Sequence, residues 1–163
     1  MVSASPAATE GCRPATFDDL PRLAEMAEQA VEELRVGRGG EVWARTRGRR
    51  PPYETVLADE LTSPAHHVLV GTLDDTTLGY GVACVQVLAD GSRLGVVTDL
   101  YVDPGARGVG IGEALMNALM AWCAEDGCTG VDSLALPGDR HTKNFFESFG
   151  LVARAILVHK ELQ

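Results

Sequence analysis

The sequence lacks an apolar run long enough to cross a membrane, and basic residues are scarce. A spanning helix needs about 20 consecutive apolar residues, so we expect no membrane segment. Only 14 lysine and arginine residues stand against 23 aspartate and glutamate residues, a net charge of −9. This balance argues against a nucleic-acid partner, because phosphate binding needs a positive surface. No basic segment followed by an apolar one opens the chain, so we predict no secretory signal and a cytoplasmic protein.

Cysteine is also infrequent. The sequence has four cysteines, Cys12, Cys84, Cys123 and Cys128, with neither a CxxC pair nor a metal-ligand spacing to histidine. This pattern favours reduced thiols and predicts no metal site. None of the four stands in a context typical of a nucleophile, so a covalent enzyme intermediate is disfavoured.

What is present indicates one α/β domain. Apolar residues make up 45% of 163 residues, enough for a single core. We predict a disordered N-terminus over residues 1–10 and one domain over residues 11–163. Hydrophobic periodicity gives the order strand, helix, helix, three strands, helix, strand, helix and strand, the last strand running from Val152 nearly to the end. The basic stretch Arg45 to Pro52 is predicted as a connection. This order favours a mixed sheet with helices on both faces.

One stretch carries a chemical signal. DPGARGVGIGEALM, Asp103 to Met116, follows the strand VVTDLYV and contains four glycines before a helix begins. The first N–H groups of a helix have no partner within it and attract anions. Gly108, Gly110 and Gly112 remove side chains at every second position, so successive amides can wrap a diphosphate. Arg107 adds a positive charge at the entrance.

Two other phosphate-binding motifs do not fit this loop. A P-loop ends in Gly-Lys-Ser or Gly-Lys-Thr, and the sequence has neither. A dinucleotide fingerprint needs GxGxxG, but reading from Gly110 the third glycine is replaced by Leu115. A nicotinamide-dependent enzyme is therefore disfavoured.

The pattern Arg-x-x-Gly-x-Gly, Arg107 to Gly112, resembles the acetyl-CoA loop of the GNAT superfamily of N-acetyltransferases. VVTDLYVDP before it and EALMNALMAW after it extend the resemblance, which covers the chain from CRPATFDDLPRLAEM to the final strand. It implies a GNAT fold with a parallel, splayed strand pair and acyl-CoA wedged in the splay. The pyrophosphate would lie on the loop amides, and the pantetheine arm would pair with the preceding strand. The implied cofactor-binding residues are Leu100, Tyr101, Val102, Arg107, Gly108, Val109, Gly110, Ile111, Gly112 and Phe146.

The catalytic residues are less clear from the sequence. Acetyl transfer to an amine needs a neutral amine, a stabilised oxyanion and a protonated leaving thiol. Asp99 stands where family members often carry an acidic residue, and it is our candidate base; a solvent-facing or capping aspartate is the alternative. The family tyrosine that protonates the thiol is replaced by Phe146. Tyr101 is our candidate replacement donor, with His141 a weaker one.

The predicted function is therefore N-acetyltransferase: an acetyl group passes from acetyl-CoA to a primary amine by direct attack in a ternary complex. The alternative is an acyl-CoA-binding sensor with the same fold and no activity, which the missing tyrosine keeps open. The acceptor is a small-molecule or peptide amine. In this fold it would bind near the connection Gly37 to Pro52, whose arginines, if they face the pocket, favour an acceptor with a carboxylate or phosphate. A homodimer through the C-terminal strand is a further expectation.

Overall fold

Five strands form one mixed sheet in a computed structural model that describes residues 8–162. The strands are Glu10–Pro14 (β1), His66–Leu73 (β2), Thr76–Val87 (β3), Arg93–Val102 (β4) and Cys128–Asp132 (β5). They lie in the sheet in chain order; β1 to β4 pair antiparallel, and β5 pairs parallel with β4. The predicted mixed, mostly antiparallel sheet with one parallel pair is confirmed.

Helices cover both faces of this sheet. They are Leu20–Arg35 (α1), Gly40–Thr46 (α2), Tyr53–Thr62 (α3), Ile111–Glu125 (α4) and Arg140–Ser148 (α5). α1 and α3 pack on one face, around Leu23, Leu57 and Tyr80, and α4 packs on the other, around Leu115 and Leu119. Each fully buried leucine contributes roughly 1.5–3 kcal/mol of hydrophobic stabilisation. The two cores hold the sheet between them.

The start of α1 follows from its sequence. The backbone N–H of Thr16 donates to Asp19 Oδ2 at 2.8 Å, and the Thr16 side chain accepts from the Asp19 backbone, so the two residues form a capping box. Asp19 also accepts from Arg13. It closes the short 3₁₀ turn Phe17–Asp19 that leads into the helix. Leu23 and Ala27 on the inner stripe of α1 are fully buried, as the helical spacing predicts.

α4 approaches the sheet closely because the strands beneath it carry glycine. A Cβ on Gly95 of β4 would lie 2.5 Å from Cys123 Sγ, and one on Gly81 of β3 would lie 2.9 Å from Leu119 Cδ1. Real Cβ atoms essentially never approach so near. An alanine at position 95 would therefore force Cys123 and the helix to shift, whereas one at position 81 would force at least the end of the Leu119 side chain to move. These two glycines therefore allow the C-terminal half of α4 to pack closely on the sheet.

The sheet opens between β4 and β5. Their pairing runs from Arg93 opposite Cys128 to Val96 opposite Asp132, and β4 then continues to Val102 without a strand on that side in the described chain. At the same level β4 contains a bulge: Asp99 pairs with Val82 and Val97 with Ala83, leaving Thr98 as the extra residue. The splayed parallel pair that the family resemblance implied is thus present.

Two parts of the described chain differ from the sequence prediction. α2 lies within the Gly37–Pro52 stretch, which was predicted as a connection alone. The prediction of a C-terminal strand is wrong. Residues 151–162 form neither strand nor helix, because a strand needs a neighbouring strand to pair with and no described strand pairs with these residues. The predicted disordered segment 1–10 lies mostly outside the described residues. Its last residues are placed: Thr9 donates to Asp74 at 2.9 Å, and Glu10 begins β1.

Candidate functional site

The glycine loop forms the start of α4. Gly108 and Gly110 have φ angles of +82° and +104°, a left-handed conformation that other residues rarely adopt, and Gly110 is the N-cap of the helix. The Gly110 carbonyl accepts from Ala114 N–H at 2.9 Å, the first bond of the helix. The N–H groups of Ile111 and Gly112 belong to the first turn, where no helix carbonyl is available to accept them. The loop therefore presents amides in a form that suits an anion.

Two side chains border this loop. A Cβ on Gly110 would lie 3.1 Å from Cγ of Glu10, and a Cβ on Gly112 would lie 3.6 Å from the Phe145 ring. At Gly108, by contrast, no atom of the described residues lies within 4 Å of the Cβ position. Val109 is exposed, whereas Ile111 is buried in the core beneath α4. The approach to the loop is open on the Gly108 side.

The exposed edge of β4 lies directly before the loop. Leu100 and Val102 turn their side chains to the α4 core, and Tyr101 turns to the opposite face. On the side vacated by β5, Ser133 Oγ donates to the Val97 carbonyl at 3.1 Å, and Arg107 Nε donates to the Val102 carbonyl at 2.8 Å. Between these two points no strand of residues 8–162 pairs with this edge.

Arg107 is partly neutralised by α1. Its two terminal nitrogens donate to the two carboxylate oxygens of Glu33 at 2.9 and 2.7 Å, and its guanidinium lies 5.6 Å from the centre of the Tyr101 ring. The hydrogen bonds with Glu33 raise the pKa of Arg107, despite the opposing effect of burial. Arg107 is therefore held at the mouth of the loop, with its charge shared with a carboxylate.

Asp99, the candidate base, lies in a buried ion pair. Arg49 donates to both of its carboxylate oxygens, at 3.0 and 2.6 Å, and Tyr80 and Thr98 donate one hydroxyl each at 2.8 Å. Burial alone would raise the pKa of Asp99, but the charge of Arg49 and these hydrogen bonds outweigh it, so the pKa is lowered. A carboxylate with a lowered pKa is a weak proton acceptor. Its role as a base stays a prediction.

Arg49 joins a second carboxylate to this cluster. Its Nη1 lies 3.0 Å from Glu60 Oε2, an ion-pair distance, although the angle is not that of a hydrogen bond. The side chains of Arg49, Asp99 and Glu60 are only 7%, 12% and 17% exposed. Because two carboxylates share one guanidinium, the cluster has an excess negative charge on the α3 side of the bulge.

Tyr101, the candidate donor, has its hydroxyl on the α1 side of the sheet. The hydroxyl donates to Gln29 Oε1 at 3.2 Å, and the residue is 7% exposed. Burial raises the pKa of Tyr101, and the carboxylates of Asp103 and Glu33 add to the effect. A protonated phenol is thus assured at neutral pH, but its hydroxyl is already bonded to α1.

α5 and the residue that follows it place three phenylalanines against the α4 core. The core beneath α4 partly buries Phe145, Phe146 and Phe149. The rings of Phe145 and Phe146 are edge to face, with their centres 5.8 Å apart. Asp139 caps the helix by accepting from the Thr142 N–H at 3.0 Å. Phe146 therefore supplies an apolar surface where the family has a phenol.

Sequence reasoning missed Arg49, Glu60 and Glu33. Arg49 belongs to a basic run that we interpreted as a solvated loop or as part of the acceptor pocket. Since it is buried against Asp99, it is not free to bind an acceptor's carboxylate. Its partner lies 50 residues away, and no local pattern signals such a pair. The exposed His141 makes no part of this arrangement.

A cleft also lies beside the α1–α2 connection. Its volume is about 620 Å³, and its lining includes Arg35, Gly37, Glu41, Arg45 and His159. This is the region where the resemblance places the acceptor. Both charge signs are present, so the cleft does not by itself select an acceptor.

A glycine-rich helix start beside a strand whose parallel neighbour splays away is the arrangement that the resemblance to the GNAT fold implied. The profile of the acetyltransferase (GNAT) family matches residues 26–151, and the chain belongs to this family. No curated protein sequence matches the chain. No helix within residues 8–162 combines the length and apolar character that a bilayer crossing demands.

Solved structures share the fold over nearly the whole chain. The BH1408 protein from Bacillus halodurans is 19% identical, with a TM-score of 0.77 over 93% of this chain and 99% of that one. AAC(6')-Iy, in complex with the bisubstrate analogue CoA-S-monomethyl-acetylneamine, is 16% identical, with a TM-score of 0.72 over 94% and 99%. A Trypanosoma brucei acetyltransferase is 19% identical, with a TM-score of 0.67 over 94% and 100%.

Proposed function

We propose that the protein transfers an acetyl group from acetyl-CoA to a primary amine. The observation that carries this proposal is the left-handed Gly108–Gly110 loop at the start of α4, placed next to the unpaired edge of β4. Family membership supports the acyltransferase activity. The specific donor, the amine acceptor and the ternary complex are our inferences.

The binding step uses the chain's backbone. The amides from Gly108 to Gly112, including those of Val109 and Ile111, hold the diphosphate, and Arg107 adds charge at the mouth. The backbone of Leu100, Tyr101 and Val102 pairs with the amides of the pantetheine arm. Phe146 packs near the thioester. When bound, acetyl-CoA supplies an activated acyl group whose thiol is a fair leaving group.

In the chemical step the neutral amine nitrogen bonds to the thioester carbon, and the carbon–sulfur bond then breaks. The amine loses a proton and the departing thiolate gains one. The reaction therefore needs a proton acceptor for the amine and a proton donor for the thiolate. The pKa of Asp99 is lowered, so in this proposal it attracts the ammonium form and orders water, while water carries the proton to solvent. Tyr101 stays the candidate donor, because its phenol is protonated.

The proposal is tested by coenzyme A binding and by thiol release. Calorimetry compares the wild type with Gly108→Ala and Gly91→Ala. Both glycines have φ +82° and an open Cβ position, so both substitutions place a side chain on left-handed backbone without a steric clash. We expect Gly108→Ala to weaken binding at least tenfold and Gly91→Ala to leave it unchanged. Equal affinities in all three proteins would contradict the loop as the binding site.

The second candidate function is an acyl-CoA sensor without transfer, favoured by Phe146 in place of the family tyrosine. Acetyl-CoA is incubated with polyamines, aminoglycosides, amino acids and peptide amines, and free CoA thiol is measured. Acceptor-dependent thiol release supports the transferase. Tight binding with no release across the panel supports the sensor.

A further inference from the structure

Two side-chain hydroxyls bracket the pairing between β4 and β5. Thr129 Oγ1 donates to the Arg93 carbonyl at 3.2 Å, and Ser133 Oγ donates to the Val97 carbonyl at 3.1 Å. The Thr129 bond lies at the closed end of the pair, and the Ser133 bond lies one residue beyond the last pair of the register. The Ser133 hydroxyl therefore marks the point at which the two strands part.

Ser133 also lies where the chain changes course. It directly follows β5 and is partly buried. Three residues later the chain has reached the α1–α2 connection, where Leu136 Cδ1 lies 3.9 Å from the Cβ position of Gly37. Within residues 8–162 the opened edge of β4 receives two side-chain hydrogen bonds, from Arg107 at its loop end and from Ser133 at its bulge end.

The spacing of these two points matches the length of a pantetheine arm. Their acceptors, Val97 and Val102, are five residues apart, which is about 16 Å of strand at roughly 3.3 Å per residue. The arm has about twelve bonds between its phosphate oxygen and its sulfur, as many as four residues of extended backbone, or about 14 Å. With the diphosphate on the glycine loop, the sulfur reaches the bulge end of the edge, beside Ser133.

We propose that Ser133 is the hydrogen-bond donor for the sulfur of coenzyme A, an inference that rests on the proposed function. As the carbon–sulfur bond breaks, its electron pair goes to sulfur, and the Ser133 hydroxyl turns from the Val97 carbonyl to the thiolate. The cofactor amide nearest the sulfur donates to that carbonyl in exchange.

The Ser133 hydroxyl keeps its own proton, because an alcohol is a far weaker acid than a thiol. The proton that neutralises the thiolate still comes from the phenol of Tyr101 or from water. Ser133 thus supplies the hydrogen bond to sulfur that Phe146, in place of the family tyrosine, is unable to make.

The first test uses coenzyme A without turnover. A hydrogen bond to sulfur favours the thiolate over the thiol, and ultraviolet difference spectra against desulfo-coenzyme A measure the bound thiolate at a pH of about 8.5, near the ordinary pKa of a thiol. We expect roughly fivefold more thiolate on the wild type than on Ser133→Ala. Ser133→Thr, which keeps a hydroxyl, retains most of it. The control Thr129→Ala loses the equivalent bond at the closed end and matches the wild type.

The outcomes of this test separate the two proposals. Equal thiolate on the wild type and on Ser133→Ala overturns the role of Ser133 and leaves the binding of coenzyme A, and with it the proposed function, intact. A wild type that binds no coenzyme A overturns both.

Turnover gives the second test. The sulfur of the thioester is uncharged in the ground state, so a bond that forms as charge develops lowers the barrier without tightening substrate binding. Ser133→Ala should lower kcat for thiol release about 10–100-fold and leave KM for acetyl-CoA nearly unchanged. Urea unfolding should show similar small losses for Ser133→Ala and Thr129→Ala, since each removes one cross-strand hydrogen bond. Equal kcat values in these two variants overturn the proposal.

Discussion

Arg49 and Asp99 are joined by two hydrogen bonds across 50 residues of sequence. Arg49 lies in the connection between α2 and α3, and Asp99 lies beside the bulge of β4, so the pair ties the α2–α3 connection to the strand of the proposed cofactor site. Both side chains are almost fully buried. The ion pair therefore holds the connection against β4, whether or not Asp99 takes part in the chemistry.

Arg49→Gln should destabilise the protein strongly. It leaves Asp99 and Glu60 as buried carboxylates without their counter-charge, and breaking a buried pair costs about 3–5 kcal/mol. Urea unfolding at pH 7 measures the free energy of unfolding. The control is Lys143→Gln, which breaks the exposed pair with Glu147 and should cost at most about 0.5 kcal/mol. A loss at Arg49 no larger than the control's would show that the pair contributes nothing.

The same pair predicts a pH dependence. The pKa of Asp99 in the folded state is lowered, so its contribution is present above its unfolded pKa of about 3.9 and is lost as the pH falls through the folded value. Without Arg49, burial raises the pKa of Asp99. Protonation of Asp99 at lower pH then removes the uncompensated buried charge and makes the variant less unstable. We expect the stability gap between wild type and Arg49→Gln to shrink from pH 7 to pH 4. Urea midpoints measure it, and a constant gap would contradict the charge interaction.

Glu33→Gln should strengthen coenzyme A binding. Glu33 shares the charge of Arg107, and its neutral analogue leaves the guanidinium free for the diphosphate. An exposed charge pair is worth up to about 1 kcal/mol, so a gain of roughly two- to fivefold is expected. Glu32→Gln, on the same helix but paired with Arg35, is the control. Calorimetry at low salt measures both, and weaker binding by Glu33→Gln would show that Glu33 instead holds Arg107 in place.

Phe146→Tyr should raise kcat with little change in KM. The substitution puts a phenol at the position where the family carries one, and a positioned donor contributes typically 10²–10⁴-fold when it is the general acid. Phe149→Tyr, directly after the same helix and in the same aromatic cluster, is the matched control. Steady-state thiol release measures both, and equal rates in the two variants would exclude a donor at this position.

Gly95→Ala should destabilise the protein and displace α4. Its new methyl group would lie 2.5 Å from Cys123 Sγ and 3.0 Å from Cys123 Cβ, and overpacking typically costs about 1–3 kcal/mol. Gly130→Ala, where the nearest atom would lie at 3.7 Å, is the control and should be nearly neutral. Urea unfolding compares the two, and equal stability would show that the helix can shift without cost.

The sequence predicts what depends on local pattern. The glycine loop can be recognised in the sequence because the left-handed backbone at Gly108 and Gly110 favours glycine. α1 can be recognised because its apolar residues recur at helical spacing. The pair of Arg49 and Asp99 has no such local pattern, since only the fold brings them together. The segment after Val152 has the alternation of a strand, but alternation cannot state which edge it meets.

The glycines under α4 have one more consequence. Gly71 and Gly79 lie beneath Ile111, the first residue of the helix, and Ile111 is buried. The first turn is therefore anchored by the core and not by a bound ligand. The amides of the loop are therefore already in place before any ligand binds. If the loop binds coenzyme A as proposed, association would cost little free energy for ordering the protein and would need no rearrangement of the loop.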